Sequence, residues 1–222
     1  MREGLDPQTL KAIYDRVGAR YDLQHAILTA RADQRGRRLL VGRTVRDGDH
    51  VLDCGAGTGS TSLLAARAVG PSGSVMALDA SEGMLAVAKR RVTGAGLADR
   101  VTFRTGDILA LPFADGTFDV VLSTYSMCPL YEPATGALEL LRVARPGGRL
   151  GVAHSAEPPG RVARWLADLV EDVVWRIPTL TLGCRSVSVL PTLQDAGARV
   201  LSAEYIGVPL WPFFVFVVEK RA

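Results

Sequence analysis

The segment His50-Val51-Leu52-Asp53-Cys54-Gly55-Ala56-Gly57-Thr58-Gly59 constrains the fold of this chain more than any other. A short apolar run ends in three alternating glycines, and a helical stretch carrying Leu63, Leu64, Ala65 and Ala68 follows. That order reads as strand, tight turn, helix. Glycine lets the backbone pass close to a ligand because no Cβ intrudes. The first N–H groups of the next helix have no intrahelical partner. In a doubly wound sheet such a turn lies at the carboxyl ends of the strands, where ligands bind. Gly55, Gly57 and Gly59 are therefore expected to face a nucleotide-like ligand.

The rest of the chain alternates in the same way, which argues for a sheet with crossover helices. Strands are expected at 74–79, 101–104, 118–123 and 149–154. A helix over 81–93 follows the second strand. Another, carrying Leu138, Leu140, Leu141 and Val143, leads to the turn Arg145-Pro146-Gly147-Gly148. An N-terminal helix opens at Asp6-Pro7 and repeats Leu10, Ile13, Tyr14 and Val17 on one face. A second helical segment runs roughly from Leu23 to Arg46. Beyond the fifth strand come a helix over about 160–175, an irregular stretch over 178–184 and a short helix before Gly197. Two final strands, 199–206 and 210–219, meet at Gly207-Val208-Pro209. The continuous apolar run Trp211 to Val218 suits a strand covered on both faces, such as an antiparallel strand inserted in the sheet. A hydrophobic edge or a dimer surface is the alternative. One α/β domain accounts for all 222 residues.

Two ligand classes compete for the glycine turn. Dinucleotide enzymes need Gly-x-Gly-x-x-Gly, but position 60 is Ser60 and the third glycine is Gly59. Asp53 stands just ahead of the glycines. A carboxylate there repels a pyrophosphate and attracts the ammonium and sulfonium of S-adenosylmethionine. Asp79 ends the second strand and can accept from both ribose hydroxyls. Asp107, in Gly106-Asp107-Ile108, follows the third strand and can accept from an adenine amino group, with Ile108 against the ring. Helix capping would account for one of these acids but poorly for all three.

The net charge is +3, and no concentrated basic face points to nucleic acid. The arginine-rich stretch Arg31, Arg35, Arg37, Arg38, Arg43 and Arg46 is expected to be a solvated helix face, with anionic lipid or phosphate contact as the weaker reading. Cys54, Cys128 and Cys184 are isolated, without metal spacing, and fit a cytoplasmic setting. No metal site is expected. The first residues do not read as a signal peptide, and no apolar run is long enough to span a bilayer.

Taken together, Asp53 to Gly59, Leu78-Asp79, Gly106-Asp107-Ile108, Phe118-Asp119-Val120-Val121 and Leu141 through Leu150 resemble the class I S-adenosylmethionine-dependent methyltransferases. The resemblance implies a Rossmann-like α/β fold with a seven-stranded, mostly parallel sheet of order 3-2-1-4-5-7-6, strand 7 antiparallel, and helices on both faces. It implies S-adenosyl-L-methionine as cofactor, held by Asp53, Gly55, Ala56, Gly57, Gly59, Asp79, Ala80, Met84, Asp107, Ile108 and Ser123. The opening Ile13 to Asp22 is similar to the ubiquinone/menaquinone C-methyltransferase group. In that group the N-terminal helices, here residues 1–46, form part of a lid, which places Tyr14 and Tyr21 over the cofactor. The same opening occurs in lipid-amine and thiol methyltransferases. The quinone enzymes carry an Arg-Asn pair where Cys128-Pro129 stand; Cys128 and Ala153-His154 are closer to the thiol and lipid-amine groups.

The reaction so implied is an in-line displacement at the sulfonium methyl, with the protein aligning acceptor and methyl. An aromatic face can favour the sulfonium, and Tyr14, Tyr21 and Tyr125 are candidates. His154, at the end of the fifth strand, is the candidate base, with a hydrogen-bonded rim histidine as the plain alternative. Tyr125 joins it as a catalytic candidate. Cys128 is expected to line the acceptor pocket, and Cys54 to pack under the glycine turn. A helical region over 156–190, with Trp165, Leu166, Leu169, Val170, Val173 and Val174, would border the acceptor site, and its apolar character suggests an apolar small-molecule acceptor. The acceptor can then be a quinol or phenol carbon or oxygen, a thiol, or a lipid amine. Peripheral membrane contact and a homodimer stay open. The reading from another class is a non-catalytic, regulatory S-adenosylmethionine-binding protein.

Overall fold

A computed structural model describes residues 31–158, 160, 165, 186–208 and 211–221. The elements run α1 (Ala32–Thr44), β1 (His50–Cys54), α2 (Ser60–Ala68), β2 (Ser74–Asp79), α3 (Glu82–Gly94), β3 (Val101–Thr105), β4 (Phe118–Thr124), α4 (Pro133–Val143), β5 (Ala144–Ser155), α5 (Leu190–Asp195), β6 (Arg199–Val208) and β7 (Trp211–Glu219). The seven strands form one sheet of order β3-β2-β1-β4-β5-β7-β6. β1 to β5 pair in parallel, and β7 is antiparallel to both β5 and β6.

β1 has both edges paired, to β2 and β4, and helices cover both its faces, so Val51 to Cys54 are all buried. A central parallel strand reads as a continuous apolar run for that reason. The one charged residue inside that run, Asp53, thereby acquires its unusual setting. β7 is the second case of the same rule. It sits between β5 and β6, with Phe213, Val215, Phe216, Val217 and Val218 buried, as the apolar run predicts.

Two hydrophobic layers close the sheet. On one face Leu40 and Val41 of α1, Ala65 and Ala66 of α2 and Val92 of α3 pack on Val51, Val75, Val120 and Val215. On the other, Ala137, Leu140 and Leu141 of α4 and Leu193 of α5 pack on Leu52, Val121, Val152 and Phe216. α3 begins at a side-chain cap, Ser81 Oγ accepting from the Met84 amide at 3.1 Å.

Three expectations need correction. The helix before β1 does not run from Leu23 to Arg46. Arg31 takes the left-handed conformation (φ 62°) at its start and Val45 is extended at its end, so α1 covers Ala32–Thr44. The arginine stretch is not a uniformly solvated face. Arg31, Arg35, Arg38, Arg43 and Arg46 are exposed, but Arg37 is buried. The turn at 145–148 does not precede β5; it lies within it. Ala144 already pairs with Phe118, the ladder shifts register before Val120 pairs with Arg149, and Gly147 and Gly148 exchange backbone hydrogen bonds with Lys220. The residues before 31, where an N-terminal helix is expected, and most of the 156–190 region, with Tyr14, Tyr21 and Cys184, lie outside the described residues.

Candidate functional site

The glycine turn sits at the carboxyl end of β1. The amides of Gly55 and Ala56 both donate to the Leu78 carbonyl, at 2.8 and 2.9 Å, which stitches the turn to β2. Gly55, Gly57 and Gly59 all have positive φ, at 72°, 54° and 81°. Gly55 and Gly59 have a further reason to lack a Cβ. One on Gly55 would fall on the Ser126 side chain, and one on Gly59 would come within 2.9 Å of Ala88 Cβ on α3. One on Gly57 would meet nothing within 4 Å. The turn is thus packed on both flanks and open in the middle, the shape of a backbone cradle for a ligand.

The acids differ in setting. Asp53 is fully buried, with Ser62 Oγ donating to Oδ2 at 2.5 Å. Its Oδ1 has no hydrogen-bond partner among the described residues. Burial pushes the carboxyl up to about 6, against the Ser62 bond and the Arg37 charge, which lower it. Asp79 is half-buried. Its Oδ2 accepts from the Gly57 amide at 2.8 Å and its Oδ1 from the Ser81 amide at 2.9 Å. Asp107 is exposed and accepts from the Leu109 amide at 2.9 Å. Local backbone hydrogen bonds therefore account for one role of Asp79 and Asp107, and a carboxylate oxygen can accept more than one hydrogen bond. Asp53 takes a backbone hydrogen bond from Ser62 as well as its hydroxyl, yet Oδ1 is left without a partner among the described residues. A buried carboxylate oxygen without a donor is costly and invites a cationic or donating ligand.

The other expected cofactor contacts fall around this centre. Ile108 is buried beside the glycine turn, its Cδ1 3.4 Å from where a Gly55 Cβ would stand. Ala56 is buried in the turn, and Ala80 is exposed next to Asp79. Met84 is buried in the first turn of α3. Ser123 is buried near the end of β4. Its Oγ lies 2.6 Å from Ser126 Oγ, which donates to the Cys54 carbonyl at 3.1 Å. Cys54 packs under the turn, and burial raises its thiol pKa.

Tyr125 and His154 lie at the ends of the neighbouring strands β4 and β5. Tyr125 has φ 62°, donates its amide to the Ala153 carbonyl at 2.7 Å and its hydroxyl to the Asp33 carbonyl at 3.2 Å. Burial raises its phenol pKa. Its ring is edge-on to Phe213, 4.8 Å between centroids, and carries the Arg37 guanidinium 5.0 Å from its centroid. His154 is buried against Phe214 and Phe216, with Nδ1 2.9 Å from the Ser155 carbonyl oxygen and Nε2 unpartnered among the described residues. Cys128 is buried and its Sγ accepts from the Ser155 amide at 3.1 Å. His50 is exposed at the opposite end of β1 and stacks on Phe118.

The sequence reading passed over four supporting residues. Arg37 donates through Nη1 to Thr61 Oγ1 (2.9 Å) and Thr124 Oγ1 (2.7 Å), tying α1 to α2 and β4. Arg91 donates from one nitrogen to Thr58 O, Thr58 Oγ1 and Ser60 Oγ, holding the rear of the glycine turn. Ser62 holds Asp53, and Ser126 fills the space that Gly55 vacates. Only the small polar residues just after Gly59 hinted at this in one dimension. Among the described residues no group of His, Cys, Asp or Glu is placed to hold a metal, and no helix is long and apolar enough to cross a membrane.

Comparison with known proteins agrees with this geometry. Residues 51–148 match the family model described as a methyltransferase domain. The chain is 35% identical over 159 residues to the demethylmenaquinone methyltransferase of Symbiobacterium thermophilum, covering 71% of this chain and 63% of that protein. It is 39% identical over 181 residues to the demethylmenaquinone methyltransferase of Parafrankia sp., covering 73% of this chain and 70% of that protein. The solved structure of the 4+2 cyclase SpnF superposes with a TM-score of 0.70 at 21% identity, covering 94% of this chain and 96% of that one, which speaks for the fold alone. With its sheet order, its glycine turn and these relatives, the chain belongs to the class I S-adenosylmethionine-dependent methyltransferases.

Proposed function

We propose that this protein transfers the methyl group of S-adenosylmethionine to a ring carbon of a reduced quinone. The observation that carries the cofactor half is the unpartnered, buried Asp53 Oδ1 at the strand end that leads into the open backbone of Gly57. The acceptor half rests on relatives named as demethylmenaquinone methyltransferases.

When bound, the cofactor supplies an electrophilic methyl on its own sulfonium. The residues present fit it. Asp53 would take up positive charge in a buried setting, where charge interactions are strong. Asp79 would accept from the ribose hydroxyls while staying anchored to the Gly57 and Ser81 amides. Asp107 would accept from the adenine amino group, with Ile108 against the ring. Gly55, Ala56, Gly57 and Gly59 would offer close backbone. Ala80, Met84 and Ser123 would complete the walls. Tyr125, fixed at its amide, ring and hydroxyl, would shape the boundary between cofactor and acceptor, and His154 would face the acceptor. Cys128 would line that side with its sulfur engaged by the Ser155 amide. The protein's share of the catalysis is alignment and exclusion of water.

The test is turnover of methyl-labelled cofactor with a short-chain demethylmenaquinol, a simple phenol, a thiol and an aminophospholipid. Label in the quinone ring, at rates well above the other three, is expected. Transfer to the thiol or the lipid amine instead would refute the acceptor assignment. Absence of transfer to any of them, with the cofactor bound, would favour a binding protein.

A further inference from the structure

Resting on the quinol reading, we propose that His154 Nε2 accepts a hydrogen bond from a hydroxyl of the acceptor ring, and that Phe214 and Tyr205 form the aromatic track along which the acceptor's apolar part lies. The chemistry of the imidazole points there first. Nδ1 lies 2.9 Å from the Ser155 carbonyl oxygen, which can only accept, so Nδ1 carries the proton. Nε2 is then a bare lone pair. It is buried and has no partner among the described residues. Buried polar atoms are nearly always hydrogen-bonded. What would satisfy this one is a donor, and a quinol hydroxyl is one.

The surroundings define the rest of the ligand. Strand register puts His154, Phe214 and Tyr205 abreast on β5, β7 and β6. Tyr205 and Phe214 are 4.8 Å apart between centroids, and Phe214 and His154 5.9 Å. Exposure falls along this row from 54% at Tyr205 to 1% at His154. Phe216 closes the inner end, 5.9 Å from His154. An aromatic row that begins in solvent and ends on a buried acceptor atom suits a flat, hydroxylated ring with an apolar substituent. Burial also holds the His154 pKa down at about 4, so the ring stays neutral at physiological pH and is a weak base. It is suited to position a hydroxyl rather than to remove its proton.

The experiment uses the whole chain with a demethylmenaquinol bearing an apolar side chain, its O-methyl ethers and a side-chain-free analogue. Wild type is expected to bind the quinol about tenfold more tightly than the ethers, measured as inhibitors of quinol turnover, the size of one hydrogen bond. His154→Phe should raise KM for the quinol by a similar factor and erase the preference, with cofactor affinity kept and the melting temperature unchanged or higher. His154→Gln, which restores an acceptor, should recover part of both. Tyr205→Ser, at an exposed site, should raise KM for the substituted quinol more than for the side-chain-free one. Quinol turnover by His154→Phe with unchanged KM and intact preference would overturn this assignment while leaving the function standing. A wild type that binds quinol and ethers equally would do the same. A wild type inactive on the quinol would overturn the function, and this assignment with it.

Discussion

The buried carboxyl of Asp53 makes cofactor binding and folding stability depend on pH in opposite senses. Its pKa rises from 3.8 in an exposed chain to about 6 in the fold, chiefly through burial. Between these values the folded state binds more protons than the unfolded one, so stability falls as pH rises. The loss is complete above pH 6. At 1.36 kcal/mol per unit it amounts to about 3 kcal/mol. Asp53→Asn keeps an oxygen for the Ser62 hydroxyl and removes the charge. It should therefore stabilise the cofactor-free protein by up to about 3 kcal/mol at pH 8, with the gain fading towards pH 4. Urea unfolding at pH 8, 6 and 4 reads this directly. Cofactor binding should run the other way. A cation beside Asp53 favours the ionised form, so binding at pH 6 should release roughly half a proton, and at pH 8 almost none. Calorimetry in two buffers of different ionisation enthalpy measures the release. The variant should lose both the release and much of the affinity. Equal or lower stability of Asp53→Asn at pH 8, or buffer-independent binding heats at pH 6, would refute the reasoning.

Three further outcomes are expected. Asp79→Ala removes the acceptor of the Gly57 and Ser81 amides along with the expected ribose contact. It should weaken cofactor binding by about tenfold or more at a folding cost of about 1–3 kcal/mol, and unchanged affinity in calorimetry would remove the ribose assignment. Gly36→Ala would drive a methyl onto the Tyr125 hydroxyl and within 2.9 Å of Ile206 Cδ1, costing about 1–3 kcal/mol in denaturant unfolding; adding Tyr125→Phe should recover part of it. Arg149 donates to both oxygens of Asp49 at 3.0 and 2.9 Å, and both residues are buried. Arg149→Met should cost about 3–5 kcal/mol by stranding that carboxylate, and adding Asp49→Asn should restore most of the loss.

Much of the fold was legible because strands buried on both faces must be apolar throughout. That rule made an inserted strand the first reading of Trp211 to Val218, ahead of a hydrophobic edge or a dimer surface, and the short run before the glycines located β1 at His50–Cys54. The glycine turn was legible because Gly55, Gly57 and Gly59 adopt backbone conformations that other residues avoid. Arg37 was not legible. It lies among five exposed arginines, and only the approach of α1 to α2 and β4 brings Thr61 and Thr124 to it. The extent of β5 was missed because Pro146, Gly147 and Gly148 spell a turn locally, while Phe118 and Lys220 provide pairing from distant parts of the chain.

The sequence by itself determined the class of ligand. Asp53 ahead of the glycines, Ser60 in place of a glycine, and acids at the ends of the next two strands are one-dimensional facts about charge and backbone freedom. Only the tertiary structure decided what those residues experience. Asp53 has a raised pKa because the assembled sheet, with β2 and β4 beside its strand, and the helix α2 exclude water from it, and Gly57 is open because Ser126 and Ala88 close only its flanks. His154 has a bare buried nitrogen because its own strand's carbonyl holds its proton and Phe214 and Phe216, distant in sequence, surround it. Burial and partnership depend on which segments meet, and that is a property of the assembled sheet.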